Sequence, residues 1–165
     1  LSLTFWGELM RKTCICAILV GGALTAFGAQ AMELTKAQFE NGLQTYIKEV
    51  PQCAAGKLAA GVAVSGGWYY QWKNRSELDV RISAEGNRIQ RIEITAAGRD
   101  NNALQDIMCA TIALMRATQP EYVTTSDAVR DAKHLWENAG SKPFIKAFFF
   151  DTFVAQMAPL LLTVK

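Results

Sequence analysis

Between residues 77 and 96 the chain alternates with a period of two. Leu78, Val80 and Ile82 are separated by Asp79 and Arg81, and beyond Glu85-Gly86-Asn87 the pair Ile92 and Ile94 is separated by Glu93. Side chains along an extended strand point to opposite faces in turn, so this pattern specifies an antiparallel hairpin with one buried and one wet face. It restricts the fold class because such a hairpin must be covered on one side, by helices or by a second sheet. Ile89 is out of phase with Ile92 and Ile94, and a β-bulge near Arg88 is expected to bring it onto the buried face.

Helical signals lie on both sides of this hairpin. Thr35 and Gln38 form a capping box, with Leu34 and Phe39 placed as a hydrophobic staple, so a helix should start at Thr35. It should bury Phe39, Leu43, Ile47 and Val50 and stop at Pro51. Short strands are expected at 61–65 and 68–73, joined by a tight turn at Gly66-Gly67. A second helix, capped by Asp100 or Asn101, should present Leu104, Ile107, Met108, Ile112 and Met115 as one stripe before Pro120. A third, capped by Ser126, should run through Val129, Ala132 and Trp136 to Gly140 at its C′ position.

The last segment, 144–164, is strongly apolar, but Lys146, Asp151, Gln156 and Pro159 interrupt it, and charges at a bilayer centre are costly. Two buried strands are expected there and no stable membrane span. The element order predicts a single α+β domain, with a mostly antiparallel sheet and helices packed on one face.

At the other end, Met10-Arg11-Lys12 precedes an apolar run over 14–27 and then Ala29-Gln30-Ala31. A positive start, an apolar stretch too short to span a bilayer and a small-x-small site read as a secretory signal peptide over 10–31. The uncleaved alternative is a membrane anchor. Residues 1–9 suit neither a signal nor a folded element and read as an overextended reading frame. The expected mature chain is a single domain over 32–165, periplasmic or secreted, starting at Met32.

Cleavage would remove Cys14 and Cys16 and leave Cys53 and Cys109 in a compartment where disulfides persist. These two should pair, a closure that stabilises by about 4 kcal/mol in the chain-entropy account. A redox role would call for the close C-x-x-C spacing, which they lack. The formal charge of +2, spread without runs, offers no footprint for nucleic acid or an anionic membrane surface.

Several constellations are candidates for chemistry. Trp68, Tyr70 and Trp72 share one face of a strand and form either core or a binding platform for a protein partner or sugar rings. Ser65 in Ala63-Val64-Ser65-Gly66-Gly67 is close to a nucleophile elbow, with His134 as its base, but the expected strand after it is the wrong context. Asp131, His134 and Glu137 lie one helical turn apart, as do Asp127 and Asp131, which is also what a solvated helix face looks like. Asn74-Arg75-Ser76 matches a glycosylation acceptor. With no phosphate loop, dinucleotide fingerprint or zinc spacing, no catalytic residue, cofactor or metal is assigned. The expected function is a non-catalytic exported binding or interaction protein, of the inhibitor or immunity type. Its partner would be another exported protein or an envelope glycan. The alternative is a small cell-envelope hydrolase or a glycan-binding module.

Overall fold

A computed structural model describes residues 32–165. The expected signal peptide, its expected cleavage site and the expected frame extension lie outside the described residues. The N-terminal helix α1 (Lys36–Tyr46) starts where the capping box places it. The Thr35 side chain accepts from the Gln38 backbone, and Gln38 returns a bond to the Thr35 backbone. Two short 3₁₀ turns, Ile47–Glu49 and Pro51–Cys53, carry the chain onward.

Strands β1 (Lys57–Leu58), β2 (Val62–Val64), β3 (Gly67–Lys73), β4 (Glu77–Glu85) and β5 (Arg88–Ala96) follow. Helices α2 (Asn101–Thr118) and α3 (Thr125–Asn138) come next, then β6 (Phe144–Phe148), β7 (Asp151–Met157) and β8 (Leu160–Val164). All the pairings are antiparallel. The sheet runs β1-β3-β4-β5-β8-β7-β6, with β2 also on β3, so the last strand sits between β5 and β7.

Its register explains the core. One row crosses the sheet through Tyr70, Val80, Ile94, Leu162, Ala155 and Phe144, and the next through Trp68, Ile82, Ile92, Val164, Phe153 and Lys146. These rows face the helices. The opposite row reads Tyr69, Arg81, Glu93, Thr163, Val154 and Ile145, and no helix among the described residues covers it, as the alternation at 77–96 requires. The bulge is also present. Ser83 pairs with Arg91 and Ala84 with Ile89, so Gln90 is the extra residue and Ile89 joins Ile92 and Ile94 in the core.

Three expectations are corrected. The third helix is capped by Thr124, which forms a capping box with Asp127, and Ser126 lies within its first turn. The final segment makes three strands where two were expected, because the chain reverses at Phe149-Phe150 without a turn-type residue. And α2 is buried on nearly all sides of its middle, where a single stripe was expected. It lies between α1, α3 and the sheet, and small residues permit the close approach. A Cβ on Gly42 of α1 would come within 2.8 Å of the Ala117 methyl. Inside this layer Thr111 donates to the Ile107 carbonyl (2.7 Å) and accepts from the Trp136 indole (2.9 Å).

The expected disulfide is formed. Cys53 and Cys109 join the second 3₁₀ turn to the middle of α2, with Cα atoms 5.6 Å apart. No helix among the described residues is long and apolar enough to cross a membrane.

Candidate functional site

The aromatic strand turns its rings toward the helices. Tyr70 and Trp72 are each 1% exposed, so they are core side chains and do not present a platform. Tyr70 packs on Phe39 (centroids 5.4 Å apart) and its hydroxyl donates to Glu40 (2.9 Å). Burial, with the neighbouring Glu40 carboxylate, pushes its pKa far up. The half-buried Trp68 lies under the Lys36 ammonium at 5.7 Å. The parity reading was right and the side was the helical one, because a sheet covered on one face needs large apolar groups there.

Ser65 and His134 do not meet. Ser65 is exposed at the β2–β3 turn, on one flank of the sheet. His134 is exposed on α3, which packs on β6 and β7 at the other flank, with its ring edge-on to Phe144. The acidic residues of α3 serve local structure. Asp127 accepts from Thr124 and pairs with Arg130 (3.0 Å), and Asp131 pairs with Lys146 (3.5 Å). Among the described residues no group of His, Cys, Asp and Glu side chains is placed to hold a metal ion. Asn74 donates to Asp106 (2.9 Å), whose carboxylate also receives the Ser76 backbone N–H (2.7 Å) and hydroxyl (2.9 Å). The acceptor tripeptide thus forms the clasp between the β3–β4 turn and α2.

The candidate site lies elsewhere, where the C-terminal end of α2 meets the β6–β7 turn. A cavity of about 310 Å³ opens there, lined by Glu33, Thr118, Gln119, Tyr122, Phe150 and Asp151, with Pro120 and Glu121 completing it. Its α2 wall is held by Arg116. This guanidinium donates to the carbonyls of Pro120 (3.2 Å) and Val123, reaches Glu49 (3.4 Å), and stacks 4.4 Å from the Tyr46 ring centroid. The Gln119 carbonyl accepts from the backbone N–H of both Tyr122 and Val123, which closes the loop tightly.

The opposing wall is the hairpin tip. Phe148 pairs with Asp151 across a two-residue turn, and Phe149 takes a positive φ of 54°. For a bulky side chain that left-handed conformation costs about 1–2 kcal/mol. Phe149 and Phe150 are nevertheless 57% and 74% exposed, and Tyr122, 67% exposed, stacks on Phe149 at 6.1 Å. Beneath these rings Asp151 is 5% exposed and accepts from Gln119 (3.4 Å). Burial raises its pKa above the usual carboxylate value, partly offset by the Gln119 and Thr118 side chains, with Glu33 adding to the rise.

Sequence reasoning passed over this site because its two walls are separated by about thirty residues and belong to different elements. The only local signal was Phe148-Phe149-Phe150-Asp151, an aromatic run ending in a charge. No protein-family model, curated protein or solved structure matches the chain, so its own geometry carries the functional reading.

Proposed function

We propose that the protein is an exported, non-catalytic interaction protein of the inhibitor or immunity type, which docks another exported protein through Tyr122, Phe149 and Phe150. The observation that supports this reading is Phe149. An exposed phenylalanine held at positive φ weakens the fold, and it gains little burial in return. Rigid aromatic groups on the surface instead supply contact area to a partner at low entropic cost. The expected role of the β3 rings in binding passes to this tip, because Tyr70 and Trp72 are enclosed.

The test is affinity capture from the cell's own envelope extract, with the wild-type chain beside Phe149→Ala, Phe150→Ala and, as an exposed control, Glu85→Gln. A specific partner should be retained by the control, and its binding should weaken by about 2 kcal/mol or more in the Phe variants. Equal capture by all four chains would refute the docking role. Export is tested separately, by N-terminal sequencing of the envelope fraction, which should begin at Met32. A full-length chain held in the membrane would support the anchor alternative.

A further inference from the structure

A smaller cleft, of about 220 Å³, opens beside the middle of α2, away from the aromatic tip at that helix's C-terminal end. Both halves of the disulfide, Cys53 and Cys109, are among its lining residues, together with the apolar side chains of Met108 and Ile112. The two cysteines otherwise belong to the hydrophobic core, so this cleft is where a reagent from solvent meets the bridge. Its polar part is cationic. Arg75, from the β3–β4 turn, lines it and donates to the neutral Gln105 side chain (2.7 Å). Among the described residues no carboxylate lies within ion-pair distance of this guanidinium, and no acidic residue lines the cleft. An anion that enters therefore meets one uncompensated positive charge.

We propose that this cleft is a site of thiol–disulfide exchange, which admits a small thiol carrying a carboxylate or sulfonate to the Cys53–Cys109 bridge of the folded protein. The attacking thiolate bonds to one cysteine sulfur, the S–S bond breaks, and the other cysteine leaves as a thiolate that takes a proton from water. A second thiolate then displaces the first as a small disulfide and leaves two cysteine thiols. The two thiols supply the two electrons, and the small disulfide runs the same steps backwards to close the bridge. Arg75 draws the anionic group inward and pairs with it in the mixed disulfide. The bridge is the target of exchange and oxidises no other protein, so the close spacing of a catalytic pair is not required. Access sets the rate of such an attack, and a cleft of this volume, with both cysteines more than nine-tenths buried, favours a reagent of a few heavy atoms.

The proposal is independent of the docking role and is tested without any partner. The native protein, with its bridge intact, is incubated with 2-mercaptoethanesulfonate or with neutral 2-mercaptoethanol, quenched in acid and weighed by mass spectrometry. Each rate is divided by that of the same thiol on bis(2-hydroxyethyl) disulfide, which cancels intrinsic reactivity. The sulfonate should be favoured about threefold or more. Arg75→Gln should remove that preference and leave the neutral thiol's rate unchanged, and Gln52→Glu, which places an anion in the cleft, should reverse it. Both positions are exposed, so neither substitution disturbs the core. Addition of about 1 M urea should leave the rates nearly constant, whereas opening by way of the unfolded chain would be accelerated roughly fivefold or more. Equal normalised rates for the two thiols, a preference that survives Arg75→Gln, the steep urea dependence, or a bridge that stays closed in the native protein each overturn the proposal.

Discussion

Opening the Cys53–Cys109 bridge should remove a calculable share of the stability. The two residues are 56 positions apart, and releasing a loop of that length gives the unfolded chain entropy worth about 4 kcal/mol. The native state loses little in return, since both side chains are buried, Cys53 1% and Cys109 3% exposed, and the thiols need only move apart to van der Waals contact within the core. Reduced wild type should therefore lie about 4 kcal/mol below the oxidised form in urea titrations. The double variant Cys53→Ala/Cys109→Ala should lose about 1–2 kcal/mol more, through the space its missing sulfurs leave. The two losses differ in kind. The first acts on the unfolded ensemble, so the denaturant slope should also rise on reduction, as a released chain exposes more surface. In thermal melts the reduced protein should unfold roughly 12 °C lower. A reduced protein within about 1 kcal/mol of the oxidised one, with an unchanged slope, would show that the bridge does not constrain the unfolded chain and would refute the loop argument.

Asp106→Ala should cost about 3 kcal/mol in denaturant titrations, because it leaves the Asn74 amide and both Ser76 donors without their shared acceptor; a loss below about 1 kcal/mol would show that water replaces the carboxylate. The folded pKa of Asp151 is raised by burial above the ordinary value of 3.8, so its contribution is fully present below that value and is lost as pH rises through the folded pKa. Asp151→Asn should therefore be more stable than wild type at neutral pH, with the gap closing on acidification, and parallel stability profiles from pH 3 to pH 7 would contradict this. Phe149→Gly should raise stability by about 1 kcal/mol by relieving the positive φ, and a clear loss in thermal melts would mean that stacking on Tyr122 outweighs the strain.

What could be read from the chain beforehand was what short-range chemistry determines. The Thr35–Gln38 box and the Asp100 cap are bonds between residues three apart, and both formed as expected. The Gln90 bulge follows from Ile89 having to share a face with Ile92, and the expected Cys53–Cys109 pairing is formed. At 124–126 three consecutive hydroxyl residues could each cap a helix, and Asp127 selects Thr124 by returning the second bond of the box. The third C-terminal strand was hidden because Phe149-Phe150 carries none of the residues that ordinarily mark a two-residue turn. Alternation placed Trp68, Tyr70 and Trp72 on one face. Which face the helices would cover depends on contacts between distant elements, such as Tyr70 on Phe39, and no local pattern contains that information.

The position of β8 has a consequence for the order in which the molecule assembles. A ribosome delivers β1 to β5 first, and a sheet formed by these strands alone would end at β5, with the backbone groups along residues 92–95 exposed and isoleucines on one face. The β6–β7 hairpin is made next, but it has nothing in the sheet to join, because the strand that links it to β5 is synthesised last. Until Leu160–Val164 emerge, β5 and β7 both lack the strand that lies between them, and any sheet formed earlier would carry an open edge of the kind that pairs with other chains. Holding the nascent protein unfolded until its final strand is complete would avoid that hazard. A truncation before Leu160 should accordingly yield aggregates instead of a smaller soluble domain.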